Sequence, residues 1–173
     1  MKRSIALIST GGTIEKTYDD LSGVLANQVS VLDVMLASLE LRGVEVQRVQ
    51  LMNKDSLDMS PEDHTLIAQI AGRLAEAHGG VVVVHGTDRL AVSGERVVEL
   101  VGTPAAPIVF TGAMRPFELR NTDALQNLTE AMIAVQLVPP GVYVAMHNQV
   151  LRFPGVTKDP ERRTFVKAPG REA

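Results

Sequence analysis

The sequence predicts an α/β protein, a single domain with a doubly wound, mainly parallel sheet and helices on both faces. Short apolar runs alternate with stretches of helical period along the chain. The run Val81–Val84 is apolar at every position, as a strand covered on both faces must be. Several apolar runs stop at glycine beside a hydroxyl or a histidine, at the edge where open sheets bind ligands.

Composition narrows the class. A chain of 173 residues, 45% of them apolar, supports one domain with a proper core. Without cysteine it has neither a disulfide framework nor a thiolate metal site. His64, His78, His85 and His147 are scattered, with no pair at helical ligand spacing, so no metal or cofactor is expected. A net charge of -3, the lack of a basic stripe and the scarcity of aromatic residues argue against a nucleic-acid partner. No apolar run is long enough to cross a bilayer. Met1-Lys2-Arg3-Ser4 begins like a signal peptide, but Ser9 and the following glycines break the apolar run, so a cytoplasmic protein is expected. Only the last few residues depart from globular composition.

Taken in order, Ser4–Ile8 reads as a buried strand. The polar stretch Glu15–Asn27 reads as a loop or loose hairpin. Val31, Leu32, Met35, Leu36 and Leu39 share one face of a helix over 29–41, with Ser30 as its cap and Gly43 as its stop. Val44–Met52 is a second strand. Ser60-Pro61-Glu62-Asp63 opens a helix, combining a serine cap, proline at the first position and an acid three residues on. Gly79-Gly80 closes it. Val81–Val84 is a central strand. A helix follows over Leu90–Val101, then a strand over Pro107–Thr111 and a helix over Thr122–Val135. Pro139-Pro140-Gly141 stops that helix, and Val142–Met146 is the last strand of the alternation. The segment from Asn148 is expected as a hairpin at a sheet edge, with the tail from about residue 160 peripheral. Such alternation gives parallel strands joined by right-handed crossovers.

The residues just beyond each strand are therefore the ones to read for function. They are Thr10-Gly11-Gly12-Thr13, Asp55-Ser56-Leu57-Asp58, His85-Gly86-Thr87-Asp88, Thr111-Gly112-Ala113-Met114-Arg115-Pro116, and His147-Asn148 with Thr157-Lys158 further on. Glycine lets backbone N–H groups come close to a ligand, where they can hold an oxyanion. Threonine hydroxyls, an adjacent acid, a lysine and the loop residue Tyr18 suit nucleophilic acyl transfer, because a hydroxyl needs a base beside it.

The strings Thr10–Ile14 (TGGTI), His85–Asp88 (HGTD) and Gly112–Pro116 (GAMRP), in that order, resemble the bacterial-type L-asparaginases. Val156-Thr157-Lys158 is similar to that family's lysine motif. The resemblance implies Thr13 as primary nucleophile, Thr87 as second essential threonine, and Asp88 and Lys158 as the acid and base beside it. It implies Ser56 as a contact to the substrate α-carboxylate, Ala113 as a pocket residue and Tyr18 as activator of Thr13. Asp55, Gly12 and Gly86 are placed with the substrate-binding residues, the glycines for their close backbone. The implied activity is hydrolysis of L-asparagine to L-aspartate and ammonia, in a homodimer or homotetramer. The resemblance covers only the larger N-terminal domain of family members. The smaller domain, and the neighbouring subunit's glutamate it brings to the substrate amino group, are expected to be missing.

Plainer roles compete at several positions. Thr10 and Thr13 can serve as turn residues. Asp88 can cap the helix beginning near Arg89. Lys158 alone would be a solvated charge, and Ser56 with Asp58 an ordinary turn. His85 is expected as a satisfied structural histidine, with Arg115 and Arg120 paired to Glu118 or Asp123. Met35, Met132 and Met146 read as core filler. Two other functions stand beside the leading one: hydrolysis of glutamine or another small amide, and amino-acid binding without catalysis, as a sensor or a subunit of a larger amidase. A phosphate-binding reading of Ser9–Thr13 lacks the P-loop lysine and the dinucleotide spacing.

Overall fold

The computed structural model describes residues 2–168. β1 (Arg3–Gly11) grows from Ile5–Ile8, every residue of which is buried. The polar stretch after it forms the hairpin β2 (Thr17–Asp19) and β3 (Val24–Ala26). Then come α1 (Leu32–Ala37), β4 (Val44–Lys54), α2 (Pro61–Ala77) and β5 (Val81–Val84). The alternation continues through α3 (Leu90–Val101), β6 (Ile108–Thr111), α4 (Ala124–Leu137) and β7 (Val142–Met146). Last are β8 (Gln149–Arg152) and the hairpin of β9 (Val156–Asp159) and β10 (Thr164–Lys167). The expectation for the last few residues falls on 169–173, outside those described.

The main sheet has the order β4-β1-β5-β6-β7-β8. Its first five strands are parallel, and β8 adds an antiparallel edge. From β1 the chain steps outward to β4, then crosses back to β5 on the other side of β1. The strand order thus reverses between β1 and β5, and at such a point the crossovers diverge and leave a crevice.

Period-two alternation divides the core between two helix layers. Ala6, Ile8, Val81 and Val83 pack with Ile67 and Ala71 of α2 and Val97 of α3. Ile5, Leu7, Val82 and Val84 pack with Leu32 and Met35 of α1 and Leu128, Met132 and Val135 of α4. Successive valines of β5 therefore serve opposite cores, which explains an unbroken apolar run. Each contributes about 1.5–3 kcal/mol of burial free energy. No described helix is long and apolar enough to cross a membrane.

The helix ends follow their local chemistry. At α2 the Asp63 N–H donates to Ser60 Oγ at 3.3 Å, and the Ser60 N–H donates to Asp63 Oδ2 at 2.9 Å, a complete capping box. α1 is shorter than its apolar spacing predicts. The Ser30 hydroxyl donates to the Glu15 carboxylate and its oxygen accepts from the Leu32 N–H at 3.4 Å, Val31 takes the cap position, and the Ser38 hydroxyl donates to the Met35 carbonyl at 2.6 Å, at the helix end. On the far side, Phe165 of β10 is buried in the core, and Phe153 lies against α3 at Gly94. A Cβ at Gly94 would stand 2.2 Å from the Phe153 ring.

Two substitutions test this packing. Ser60→Ala should lower unfolding free energy by about 1 kcal/mol. Gly94→Ala should cost about 1–3 kcal/mol through overpacking against Phe153. Urea midpoints at constant slope measure both, and an unchanged midpoint in either variant contradicts the role assigned to that residue.

Candidate active site

The crevice between β1 and β5 is built on backbone contact. Gly11 and Gly12 have φ of 98° and 83°, a region that disfavours any side chain. A Cβ on Gly12 would stand 2.4 Å from both Cα and N of Gly86. One on Gly86 would stand 2.7 Å from Ser56 Oγ, and one on Gly112 would stand 2.4 Å from the His85 carbonyl oxygen. Four strand-end segments are thus stacked with no space for side chains between them. Thr13 and Thr87, each one residue beyond its glycine, leave the same point of the sheet. Thr10 does not make the local turn bond considered for it; its hydroxyl crosses to the Val84 carbonyl at 2.9 Å.

Beside Thr87 stands a charged pair. Lys158 Nζ donates to Thr87 Oγ1 at 2.9 Å and to Asp88 Oδ1 at 2.7 Å. β9 carries Lys158 to this position from 70 residues away in the chain. Thr87 is 4% exposed, and its own proton faces Met114 Sδ at 3.7 Å, a weak acceptor. Asp88 does not cap α3: Arg89 occupies the cap position without a side-chain bond, and the Asp88 carboxylate goes to Lys158 instead.

Ser56 is buried under the Gly86 backbone, and its Oγ accepts from the Arg89 N–H at 3.3 Å. That leaves its own proton free to donate. Asp55 is occupied on both oxygens, one by the Leu57 N–H at 3.0 Å and the other by Lys16 Nζ at 2.7 Å. The Lys16 hydrogen bond holds its carboxyl below the usual range, outweighing the effect of burial. Asp55 therefore shapes the Ser56 turn, with Lys16 held on its outer oxygen. Ala113 is wholly buried within the α4-side core. Tyr18 is 58% exposed on β2, and among the described residues its hydroxyl makes no hydrogen bond. Arg115 pairs with neither Glu118 nor Asp123 among the described residues; its Nε donates to the Asn121 carbonyl.

Several residues that support the site carry no clear mark in the sequence. Glu15 is buried behind the glycine turn, where its carboxylate accepts from the Gly11 N–H at 3.2 Å and from the Ser30 hydroxyl. Burial raises its pKa above the usual carboxyl value, against the lowering effect of those bonds. Asn27 Nδ2 donates to the Gly12 carbonyl at 2.8 Å. The carboxylate of Asp123 accepts from the Met114 and Arg115 N–H groups, from Asn127 Nδ2 at 2.9 Å, and lies 2.7 Å from His147 Nε2. Burial works to raise its pKa, but the bonds from Met114, His147 and Arg115 prevail and the net shift is downward. The only signal for Glu15 and Asp123 is an acid close to a glycine turn or a helix start, which many surface acids share, and Asn27 carries none.

His85 is fully buried and satisfied at both ring nitrogens, by the Gly86 carbonyl at 2.8 Å and Ser93 Oγ at 2.8 Å. Burial holds its pKa down to about 4, the Gly86 bond opposing and the nearby His64 adding to the shift.

Residues 4–168 match the family described as Asparaginase, N-terminal. The L-asparaginase of Thermococcus kodakarensis is 30% identical over 156 residues, 89% of this chain and 47% of that protein. A glutamyl-tRNA(Gln) amidotransferase subunit from Haloquadratum walsbyi is 35% identical over 146 residues, 83% of this chain and 33% of that protein. Among solved structures, the thermostable Thermococcus kodakarensis L-asparaginase superposes with a TM-score of 0.81 at 29% identity, over 90% of this chain and 47% of that one. A probable cytoplasmic L-asparaginase from Campylobacter jejuni gives 0.77 at 30% identity, over 91% of this chain and 50% of that one. The chain thus spans half or less of the length of these relatives.

The His85 environment predicts a pH dependence. In the unfolded chain His85 binds a proton below its ordinary 6.5, whereas the folded chain excludes that proton down to about 4. The unfolded state therefore holds more protons in this window, so stability is full above it and lost as pH falls through it. The loss reaches on the order of 3 kcal/mol. Unfolding free energy measured by urea from pH 7 to pH 4 should fall more steeply for the wild type than for His85→Gln; parallel curves contradict the assignment.

Proposed function

This chain belongs to the asparaginase family, and on that premise we propose that it is an amidohydrolase converting L-asparagine and water to L-aspartate and ammonia. The observation that carries the proposal is Lys158 Nζ bridging Thr87 and Asp88 at the reversal point of the sheet, beside the turn that presents Thr13. A structural lysine has no need of a buried threonine hydroxyl at hydrogen-bond distance, whereas a hydrolase needs a base and an orienting acid there.

In this mechanism Thr13 Oγ adds to the side-chain amide carbon, and its proton passes to the departing nitrogen, which leaves as ammonia. Tyr18 handles that proton. Because it stands on an exposed hairpin, β2 and β3 have to pack over bound substrate to exclude water. The developing oxyanion is held by backbone N–H groups and a polar side chain near Thr87, because the Gly11 and Gly12 N–H groups are spent on Glu15 and on the Lys54 carbonyl. A β-aspartyl ester results. Water then adds to the ester carbonyl and gives up its proton to the Thr87–Lys158–Asp88 group. The Thr13 oxygen leaves with a proton, and L-aspartate is free. With one proton lost, the Lys158 amine can accept from the Thr87 hydroxyl, and Asp88 keeps it in place. Ser56, whose proton is uncommitted, donates to the α-carboxylate. Ala113 supports the pocket wall from the core. We further assign a cytoplasmic location and a homo-oligomer.

The match to a glutamyl-tRNA(Gln) amidotransferase component favours a second reading, in which the same site releases ammonia for use by a partner protein. Asparagine turnover by the isolated chain supports the first reading. Turnover only with a partner, or a kcat/KM favouring glutamine, supports the second.

Thr13→Ala and Thr87→Val should each reduce ammonia release from L-asparagine by on the order of 10^4-fold or more, as removal of a catalytic group that acts in concert does. Circular dichroism should match the wild type in both. Folded variants that retain near-wild-type turnover would sink the role given to the substituted threonine.

A further inference from the structure

The turn that carries Thr13 and the turn that carries Ser56 are joined at three places. The first is packing on Gly86. A Cβ on Gly12 would stand 2.4 Å from the Gly86 Cα, and a Cβ on Gly86 itself would stand 2.7 Å from Ser56 Oγ, so one glycine backbone touches both turns. The second is a main-chain hydrogen bond from the Gly12 N–H to the Lys54 carbonyl at 2.9 Å. The third is made by side chains alone: Lys16 Nζ donates to Asp55 Oδ2 at 2.7 Å.

Each end of this ion pair is fixed to the turn it serves. Thr13–Glu15 is a single 3-10 turn, and the Lys16 N–H closes it by donating to the Thr13 carbonyl at 3.1 Å. Ser56–Asp58 is a second such turn. The other Asp55 oxygen caps it by accepting from the Leu57 N–H at 3.0 Å, and the Asp58 N–H donates to the Asp55 carbonyl at 3.0 Å. Thr13 is therefore bracketed, tied towards Ser56 through Gly12 on one side and through Lys16 on the other. The residues between are bound elsewhere, Glu15 to Gly11 and Ser30, and the Ile14 carbonyl to the Phe117 N–H. Among the described residues, Lys16 alone makes a polar link from the end of the Thr13 turn to the Ser56 turn. The Lys16 and Asp55 side chains are 23% and 28% exposed, so salt screens their attraction less than that of an open surface pair.

We propose that the Lys16–Asp55 pair determines specificity: by fixing the separation of the Thr13 and Ser56 turns it selects the length of the substrate, asparagine over glutamine. This rests on Thr13 as nucleophile and Ser56 as the contact to the α-carboxylate, as given above. Those two groups hold opposite ends of one small molecule, so their separation has to match the number of carbons between its amide and its α-carbon. Glutamine adds one methylene. A frame closed on both sides of Thr13 excludes it, and a frame opened at Lys16 admits either amide. Lys16 and Asp55 act by positioning the two turns, without touching the substrate themselves.

The test is kcat/KM for L-asparagine and L-glutamine in the full chain, with calorimetric affinities for L-aspartate and L-glutamate as a measure that needs no turnover. The wild type should favour the shorter member of each pair by about tenfold or more, the size of a one-methylene discrimination. Lys16→Met keeps the length of the side chain without its charge, and Asp55→Asn keeps an acceptor for the Leu57 N–H. Both should bring the two ratios towards one, by roughly threefold or more. Lys16→Arg, which keeps the charge, should retain most of the preference. Lys16 also directly precedes β2, and a pair that merely held that hairpin would lower both amides alike. Equal losses for both amides, unchanged ratios in a neutral variant, or a preference lost as fully in Lys16→Arg as in Lys16→Met overturns the proposal and leaves the roles of Thr13 and Ser56 standing. If neither neutral variant folds, the wild-type ratios decide alone, and ratios near one or favouring the longer member overturn it. A wild type that neither hydrolyses an amide nor binds an acid removes the functional reading and this proposal with it.

Discussion

The contact on which the molecule depends is between two peptide backbones, Gly12 against Gly86. A single methyl group at Gly12 would stand 2.4 Å from the Gly86 backbone, far inside any real contact. This approach lets the ends of β1 and β5 meet at the reversal of the sheet, where the crossovers have parted. Gly112 repeats the arrangement against His85, and Ser56 closes it beneath Gly86. Strand ends that stop at glycine at a switch point bring threonines, a serine and polar backbone to one place without filling it. The apolar strands behind them supply a rigid base, being buried on both faces.

Around that contact the loops are held by buried polar groups. Glu15 ties the Gly11 turn to Ser30, and Asn27 secures the Gly12 carbonyl. Asp123, with Asn127 and His147, gathers the loop after β6. His85 pins the Gly86 carbonyl and is itself held by Ser93 and His64. None of these groups needs to touch a substrate. Each replaces the flexibility of a glycine-rich turn with a defined geometry, which a site that stabilises developing charge requires.

What could be read from the sequence was what local chemistry determines. Val81–Val84 had to be a central strand because its apolar run leaves no polar face, and Ser60-Pro61 had to start a helix because cap, proline and Asp63 agree. The glycine tips were legible for the same reason, since glycine marks backbone that must approach something. Features whose cause lies far along the chain were not legible. α1 ends at Ala37, short of the apolar spacing that runs on to Leu39, and the Glu15 carboxylate that Ser30 serves lies 15 residues earlier. Asp123 stands at the cap position of α4, yet its carboxylate serves the Met114 and Arg115 N–H groups that the fold brings to it. The antiparallel register of β8 on β7 and the docking of β9 that brings Lys158 to Asp88 follow from no periodicity; Lys158 is marked only by the resemblance of Val156-Thr157-Lys158 to a family motif, and the edge position of the segment only by its place after the last parallel strand.

The central claim is that Thr13 and Thr87 address one small carboxyl group from opposite sides, with Ser56 holding the other end of the molecule. A crystal structure with L-aspartate bound tests it most directly. The side-chain carboxyl of aspartate is expected between the Thr13 and Thr87 hydroxyls, and its α-carboxylate hydrogen-bonded to Ser56. Aspartate bound elsewhere, or in the crevice but out of reach of either threonine, would contradict it.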